Sequence, residues 1–277
     1  MIAHSHSSDI SYSASRASLK QGIFILSEQH QIAKDVWHMH LTGDCIAITN
    51  PGQFVNVQVP GFFLRRPISV ANVDGDSLTL IYKTVGEGTR ALARLTRGSE
   101  LDILTGLGNG YSLPDTSGRG ALPVLLVGGG VGVPPLYWLA RELRAQGLAV
   151  RVVLGFNSRA DVFYEEEFEA LGCEVCVTTA DGSYGTAGFV TACMPEQSEY
   201  SYFYTCGPIP MLRAVAAASG DTPGELSFEE HMGCGFGACM GCSHRVNSVA
   251  KDTAHGAISY KRICVEGPVL RKEEIVW

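Results

Sequence analysis

The feature that most constrains this chain is the stretch HMGCGFGACMGC, residues 231–242, near the C-terminus. It holds three cysteines and four glycines, and Cys264 follows after a further twenty-one residues. The spacing Cys234-x4-Cys239-x2-Cys242 with one distant cysteine is typical of a 2Fe–2S cluster. Glycines let the backbone approach the sulfurs closely and adopt positive φ. The sequence therefore predicts four metal ligands: Cys234, Cys239, Cys242 and Cys264.

Two other kinds of metal site use similar residues. A structural zinc site also takes four cysteines, but it usually arranges them in paired C-x2–4-C motifs, whereas here three are clustered and one is distant. A Rieske centre needs two histidines beside two cysteines. Although His244 follows Cys242 closely, Cys264 is followed by Val-Glu-Gly. We therefore favour 2Fe–2S and expect His231, His244 and His255 to lie at the surface or behind the ligands.

Composition bears on the compartment and on the partners. The first twenty residues are rich in Ser and His without an apolar core, so we expect no secretory signal and a disordered extension over residues 1–19. No apolar run is long enough to span a membrane. Nine cysteines in a reducing cytoplasm favour metal or redox chemistry over disulfides, and a net charge of -7 argues against a nucleic-acid partner. The scattered cysteines are predicted to be small buried residues: Cys45, Cys173, Cys176 and Cys193.

Upstream of the cluster, the pattern of the sequence changes. Residues 20–117 contain short Val-, Ile- and Thr-rich segments separated by turn residues, which predicts a small antiparallel β-barrel. Residues 118–224 alternate apolar runs with segments of helical spacing, which predicts an open α/β domain with a parallel sheet. Residues 225–277 lose this rhythm and carry the cysteine cluster. The predicted fold is thus a barrel, a parallel-sheet domain and a C-terminal cluster segment.

Two elements of the predicted barrel suit a phosphate-bearing ligand. The stretch LRRPISVAN places Arg66 before a strand and Ser69 within it, an anion-binding guanidinium beside a hydroxyl, although Arg65 and Arg66 taken alone would equally suit a solvated basic pair. Gly88 and Thr89 lie at the start of a short helix, where free N–H groups bind phosphate. Two such elements together predict a ligand that carries a pyrophosphate.

The α/β domain contains a glycine turn that is typical of dinucleotide sites. LLVGGGVGVPPL, residues 125–136, reads as strand, turn and helix, but it only partly matches G-x-G-x-x-G. The segment Cys206-Gly-Pro follows a later strand and should reach the same carboxyl edge of the sheet, where such sheets bind ligands. Cys206 is either a residue near the reacting groups or a small residue at a tight turn. The predicted dinucleotide-binding residues are Gly128, Gly129, Gly130, Gly132, Gly207 and Pro208.

This order of motifs resembles the ferredoxin–NADP reductase superfamily and, more narrowly, the electron-transfer subunits of type B dihydroorotate dehydrogenases. The matching stretches span most of residues 20–265: LRRPIS, IYKTVGEGT, VGGGVGVPPL, GFNSRADVFYEEEF, ADGSYGTAGFVT, CGPIPML and EEHMGCGFGACMGC. The resemblance implies three cofactors, namely FAD on the barrel, NAD on the α/β domain and a 2Fe–2S cluster. The FAD-binding residues that it implies are Arg66, Pro67, Ile68, Ser69, Ile81, Tyr82, Lys83, Gly88 and Thr89.

The resemblance also implies a partner and a reaction. The partner would be an FMN-containing dihydroorotate dehydrogenase catalytic subunit in a cytoplasmic heterotetramer with two copies of each chain. Electrons would pass from dihydroorotate to NAD+ through 2Fe–2S and FAD, in pyrimidine biosynthesis. The alternatives are a similar subunit of a sulfide dehydrogenase or a hydrogenase, a stand-alone NADH:acceptor reductase, and a non-enzymatic zinc module.

Two parts of the sequence depart from the family pattern. The interval between Cys242 and Cys264 is long, and residues 248–257 are the predicted insertion. The N-terminal extension is the other departure. Ser158 and Arg159 follow the second strand of the α/β domain, where a 2′-phosphate of NADP could be held, although the resemblance favours NAD.

Overall fold

The structure is a computed structural model, and it describes residues 19–113, 122–247 and 258–277. Three predictions fall wholly or almost wholly outside these residues: the disordered extension over 1–19, the domain boundary at 117/118, and the insertion over 248–257. Within the described residues the chain forms a closed β-barrel, a seven-stranded sheet and a two-stranded ribbon.

Six antiparallel strands close the barrel in the order β1-β2-β5-β4-β3-β6. Alternate residues of each strand point inward, and large apolar side chains such as Phe24, Met39 and Leu80 are fully buried there. The predicted antiparallel barrel is therefore confirmed. The element bounds are Lys20–Ala33 (β1), Val36–Thr42 (β2), Phe54–Val57 (β3), Arg66–Asp74 (β4), Ser77–Lys83 (β5), Glu87–Leu92 (α1) and Glu100–Leu107 (β6).

The second sheet has the order β10-β9-β8-β7-β11-β12-β15, and all its pairings are parallel except that of β15 with β12. Alternating strands and helices build it, which confirms the predicted open parallel-sheet domain. Its strands are Val124–Gly129 (β7), Val150–Phe156 (β8), Glu174–Thr179 (β9), Thr186–Ala187 (β10), Tyr202–Cys206 (β11), Gly224–Ser227 (β12) and Val269–Arg271 (β15), and its helices are Val133–Ala145 (α2), Glu165–Ala170 (α3) and Ile209–Ala218 (α4).

Helix α2 packs between this sheet and the barrel. Trp138 is 6% exposed and belongs to the apolar core of the barrel, although its helix follows β7 of the sheet. Arg141 Nη2 donates a hydrogen bond of 3.0 Å to the carbonyl of Val73 on β4. These contacts hold the carboxyl edge of the parallel sheet beside the barrel.

The C-terminal segment returns to the parallel sheet. It forms the ribbon Ser243–Asn247 (β13) with Ile258–Arg262 (β14), and then β15 pairs with β12 through Leu226 and Leu270. Strand β12 spans the predicted boundary at 224/225, so this segment is joined to the sheet by backbone hydrogen bonds. The domain bounds themselves remain predictions.

Two of the scattered cysteines behave differently from the expectation. Cys45 and Cys173 are buried and free, as predicted. Cys176 and Cys193 are half-buried and joined as a disulfide, so the prediction that they are small buried residues is wrong. They meet because Cys193 directly follows a short 3-10 helix, Val190–Ala192, that packs on β9, the strand that carries Cys176. None of the helices in the described stretches has the length and apolarity needed to cross a bilayer.

Candidate functional site

The four cysteines predicted as cluster ligands lie in two neighbouring pairs, although among the described residues no three metal-ligating side chains are close enough to hold a single metal ion. Cys234 and Cys239 hydrogen-bond through their side chains. Cys242 and Cys264 form a second such pair, and the backbone N–H of Cys264 lies 3.4 Å from the sulfur of Cys242. Two neighbouring pairs of thiols are the donor set that a 2Fe–2S cluster requires. The residues present therefore fit the predicted group.

The loop between these cysteines directs backbone N–H groups at the sulfurs. The N–H of Ala238 lies 3.2 Å from the Cys234 sulfur, and positive φ values at Gly235 (77°) and Gly237 (94°) bend the chain to allow this. Burial alone would raise the pKa of the Cys234 thiol, but hydrogen bonds from the N–H groups of Phe236 and Cys239 lower that pKa to about 6. The loop thus favours a thiolate, the form that binds iron.

Two side chains from outside the loop hold its backbone. Arg262 Nη1 donates to the carbonyl of Gly237 at 2.9 Å, while its Nη2 pairs with Glu266 at 2.6 Å. Asn56 Nδ2, from strand β3 of the barrel, donates to the carbonyl of Cys234 at 2.9 Å. Sequence reasoning missed both residues, because their role depends on contacts between segments that are far apart in the chain.

The neighbouring histidines lie as expected. His244 Nδ1 lies 3.1 Å from a carboxylate oxygen of Glu230, and its ring packs on Phe228 with 4.6 Å between ring centroids. His231 is exposed, and His255 lies outside the described residues. His244 therefore contacts a carboxylate and an aromatic ring.

The two phosphate-binding elements predicted on the barrel are brought together. Arg66 lies directly against Gly88, since a Cβ at Gly88 would stand 2.3 Å from Arg66 Nε. The hydroxyl of Thr89 accepts the backbone N–H groups of Val85 (3.0 Å) and Gly86 (3.2 Å), which shapes the turn before α1. A guanidinium beside a glycine turn is a suitable place for a pyrophosphate. FAD contacts at these residues remain a prediction.

Strand β4, the predicted flavin-binding strand, has one inner and one outer face. Ile68 is buried in the barrel, whereas Pro67 is exposed and Ser69 is half-buried on the outside. Tyr82 of β5 points inward, where its hydroxyl donates to Gln29 at 2.9 Å and burial raises its pKa. The side chain of Tyr82 is therefore not available to a cofactor on the outer face.

A cavity of about 500 Å³ lies between the barrel and the carboxyl edge of the parallel sheet. Its size is within the usual range for a small-molecule site. Lys83 enters it from β5 and lies 3.4 Å from the carboxylate of Asp161 in the α/β domain, while Ile81 is buried in the core beside it. Of the predicted dinucleotide-binding residues, three line this cavity: Gly129, Gly130 and Pro208.

The glycine turn and the Cys206 segment touch each other. A Cβ at Gly132 would stand 2.2 Å from the carbonyl oxygen of Cys206, so only glycine allows this approach. Gly128 is buried under α2, and Gly207 takes a φ of 156°. The thiol of Cys206 is 2% exposed among Tyr111 and Ser227, and burial raises its pKa. Cys206 therefore lies behind the residues that line the cavity.

Glu229 is a cavity residue that the sequence reasoning missed. Its side chain is exposed and lines the cavity, and partial desolvation by the surrounding protein raises the pKa of its carboxyl. Glu229 precedes the cluster loop by five residues within the stretch EEHMGCG. Its position in the sequence, between the Cys206 segment and the cluster loop, was the only signal that could have indicated a role at the cavity.

The residues considered for a 2′-phosphate have other partners. Ser158 donates a hydrogen bond of 2.8 Å to the carboxylate of Asp161. The guanidinium of Arg159 lies 5.4 Å from the ring centroid of Tyr184. The hydroxyl of Ser158 and the guanidinium of Arg159 are thus already engaged within the protein, which favours NAD over NADP.

Two family models match the parts of the chain that form the predicted cluster and dinucleotide sites. The model described as the iron–sulfur cluster binding domain of dihydroorotate dehydrogenase B matches residues 229–276, the stretch that carries all four cluster cysteines. The model described as the oxidoreductase NAD-binding domain matches residues 126–217, which include the glycine turn and the Cys206 segment.

Curated relatives are similar over almost the whole chain. The electron transfer subunit of dihydroorotate dehydrogenase B (NAD(+)) from Shouchella clausii is 45% identical over 264 residues, covering 93% of this chain and 98% of the relative. The same subunit from Lysinibacillus sphaericus is 44% identical over 250 residues, covering 88% and 94%. A solved structure of an NADH-dependent reduced ferredoxin–NADP oxidoreductase is 28% identical with a TM-score of 0.78, covering 92% of this chain and 90% of that one.

These likenesses confirm the predicted reductase fold, the oxidoreductase class and the cofactor set of FAD, NAD and an iron–sulfur cluster. The individual contact residues remain predictions. With matches of 40–45% identity over most of its length, the chain belongs to the family of dihydroorotate dehydrogenase B (NAD(+)) electron transfer subunits.

Proposed function

We propose that this chain passes electrons from an FMN-containing catalytic subunit, which oxidises dihydroorotate to orotate, to NAD+ in cytoplasmic pyrimidine biosynthesis. The names of the relatives support a catalytic partner, and we infer an assembly with two copies of each chain. When bound, FAD couples one-electron transfer at the cluster to two-electron transfer at NAD. The chain's own residues hold these groups in order.

The order of three adjacent barrel strands is the observation that best supports this relay. Strand β5 brings Lys83 to the cavity of the α/β domain, β4 carries Arg66 and Ser69, and β3 meets the cluster segment through Phe54 and Asn56. The proposed sites for NAD, FAD and the cluster thus follow β5, β4 and β3. Each site neighbours the next without an intervening element.

Exposed apolar side chains on the cluster loop support a docking role. Phe236 is 47% exposed and Met240 is 56% exposed, and both lie on the loop that also exposes Cys239. An apolar surface of this kind is suited to contact with another protein. We infer that the cluster faces the catalytic subunit on this side and the barrel on the other.

Replacement of Cys239 by Ser tests the proposed order. Because the cluster would lose a ligand, transfer to or from the partner should be abolished, while NADH should still reduce small soluble acceptors through the flavin. Cys45→Ser, a buried cysteine of the barrel remote from the cluster loop, is the matched control. Partner-linked activity that survives cluster loss would contradict the relay.

Native mass spectrometry of the purified complex tests the partner. The expected result is two copies of each chain with FAD, FMN, iron and sulfide. A second candidate, a similar relay in another redox complex such as a sulfide dehydrogenase or a hydrogenase, is favoured by the likeness to the NADH-dependent oxidoreductase structure. Recovery of such a partner in place of an FMN protein would establish that alternative.

A further inference from the structure

A buried amide connects the barrel to the cluster loop. Asn56 of β3 is 1% exposed, and its Nδ2 donates to the carbonyl of the ligand residue Cys234, 178 positions later in the chain. Its neighbours Val55 and Val57 belong to the barrel core, so Asn56 points outward. On that outer face Phe54 packs in one apolar cluster with Cys242 and Cys264. The cluster segment therefore covers the outside of β3.

The same face continues onto the proposed flavin strand. In the antiparallel ladder Asn56 pairs with Pro67 and Phe54 pairs with Ser69. Residues directly opposite in such a ladder project to the same side of the sheet. Asn56 thus has a residue of the flavin motif on one side and the peptide of a cluster ligand on the other.

The cluster loop closes tightly on this amide. Gly235, which follows Cys234, has a φ of 77°, and a Cβ there would stand 2.4 Å from Asn56 Nδ2. A side chain at position 235 would displace either the loop or the amide. The Cys234 peptide is therefore held in close contact with Asn56.

The amide is not explained by packing alone. Asn56 Oδ1 is buried and accepts no hydrogen bond from the residues that the structure describes. A buried polar atom left in this state destabilises the fold, so an apolar side chain of similar size would serve packing better. The donor that this side chain supplies to Cys234 is the feature that an apolar residue would lack.

We propose that Asn56 is a positioning residue for electron transfer between flavin and cluster, because it fixes the Cys234 ligand relative to β4. This inference rests on the proposed relay. The step moves one electron between the two cofactors, with no bond formed or broken at Asn56 and no proton taken up there. Asn56 acts through the placement of Cys234 and of the amides that follow it.

The test uses the full chain with FAD and cluster, mixed rapidly with NADH. Flavin bleaching reports transfer from NADH, and the EPR signal of the reduced cluster reports transfer from flavin. Asn56→Asp keeps the shape of the side chain but presents an acceptor to the Cys234 carbonyl at neutral pH. In this variant we expect the rate of flavin bleaching to stay within about twofold of wild type and the EPR g-values to shift. Cluster reduction should slow at least about tenfold, which equals about 1.4 kcal/mol in the activation free energy of electron transfer.

Asn109→Asp is the matched control. Asn109 also ties the barrel region to the C-terminal segment, through hydrogen bonds to Val269 at 2.7 Å and 3.1 Å, but it contacts no cluster ligand. This variant should lose thermal stability and keep wild-type cluster reduction and g-values. If Asn109→Asp slowed cluster reduction as much as Asn56→Asp, a general loosening of the segment would explain both, and the proposal would be wrong.

A graded series covers the case in which Asn56→Asp loses iron. Asn56→Ser retains a donor of shorter reach and Asn56→Leu retains none, so iron content and cluster reduction rate should fall in the order Asn, Ser, Leu. Equal values for Ser and Leu, or wild-type rates and g-values in Asn56→Asp, would overturn the proposal. Failure of the proposed function is distinct, because there the wild-type protein would itself bind no iron or show no flavin bleaching with NADH.

Discussion

Replacing Gly132 by alanine would separate the two segments that form the proposed nicotinamide site. The backbone of Gly132 has φ −77° and ψ −9°, which alanine adopts freely, so the effect is purely steric. The new Cβ would stand 2.2 Å from the Cys206 oxygen and 2.7 Å from the Gly207 nitrogen, both backbone atoms. Ordinary contact lies near 3.5 Å, so the segments must move apart by about 1 Å.

The magnitude follows from this displacement. Overpacking costs about 1–3 kcal/mol, and the lower flexibility of alanine in the unfolded chain offsets about 0.4–1 kcal/mol of that. The net loss is therefore at most about 2.6 kcal/mol, which lowers Tm by up to about 10 °C in a chain of this size. Misplacement by 1 Å can also slow a reaction about 100-fold, so flavin reduction by NADH should fall strongly.

Thermal unfolding and stopped-flow flavin reduction measure the two effects. Gly86→Ala is the matched control, because it lies in the other glycine turn with an extended backbone and no atom within 4 Å of its Cβ. The control should change stability by less than about 0.5 kcal/mol. A Gly132→Ala protein that melts within about 1 °C of wild type and is reduced at the wild-type rate would refute the reasoning.

Three further substitutions test single contacts. Arg66→Ala should weaken FAD binding about 10- to 150-fold, which corresponds to the loss of one charge-assisted hydrogen bond, and Arg66→Lys should have an intermediate affinity. Equal FAD affinity of the wild type and both variants, measured by titration, would contradict the role of the guanidinium. Glu229→Gln should raise Tm at pH 8 but not at pH 4. A carboxyl whose pKa is raised in the folded state destabilises the fold once the pH exceeds its usual pKa of 4.5, and glutamine removes this effect. A difference in Tm that did not depend on pH would refute this. Arg262 and Glu266 form an ion pair beside the cluster loop. Loss of the positive charge in Arg262→Gln should lower the cluster midpoint potential by about 60 mV, a tenfold change for one electron, and loss of the negative charge in Glu266→Gln should raise that potential. Redox titration by EPR that found shifts of the same sign for both variants would exclude this electrostatic explanation.

Much of the architecture could be predicted because local patterns carried it. The alternating strands of the barrel and the strand–helix rhythm of the α/β domain follow from residue periodicity, which reflects burial on one face. The C-terminal segment was harder, because β12 and β15 are short and their pairing joins residues more than forty positions apart. The Cys176–Cys193 bond was missed for a similar reason, since packing of the 3-10 helix on β9 brings the two residues together.

Some residues of the candidate site could likewise be predicted from local sequence patterns, and others could not. Cys234, Cys239 and Cys242 could be identified from spacing, because a cluster ligand set within one loop imposes a local sequence pattern. Asn56 and Arg262 could not, because each donates to the cluster loop from a segment that only the folded chain brings near. Glu229 could not, because the cavity that it lines forms only in the folded chain. Tyr82 shows the converse, since its motif was recognised but the barrel turns its side chain inward.

The sequence by itself determined which chemical groups this chain can hold, because thiol spacing, glycine turns and the Arg66 motif encode ligand chemistry over a few residues each. Only the tertiary structure decided their order in space. Hydrogen bonding of β5, β4 and β3 places the cavity, the flavin strand and the cluster segment side by side, and Asn56 joins the last two. The physical reason is that strand order depends on long-range pairing, which local residue patterns do not specify.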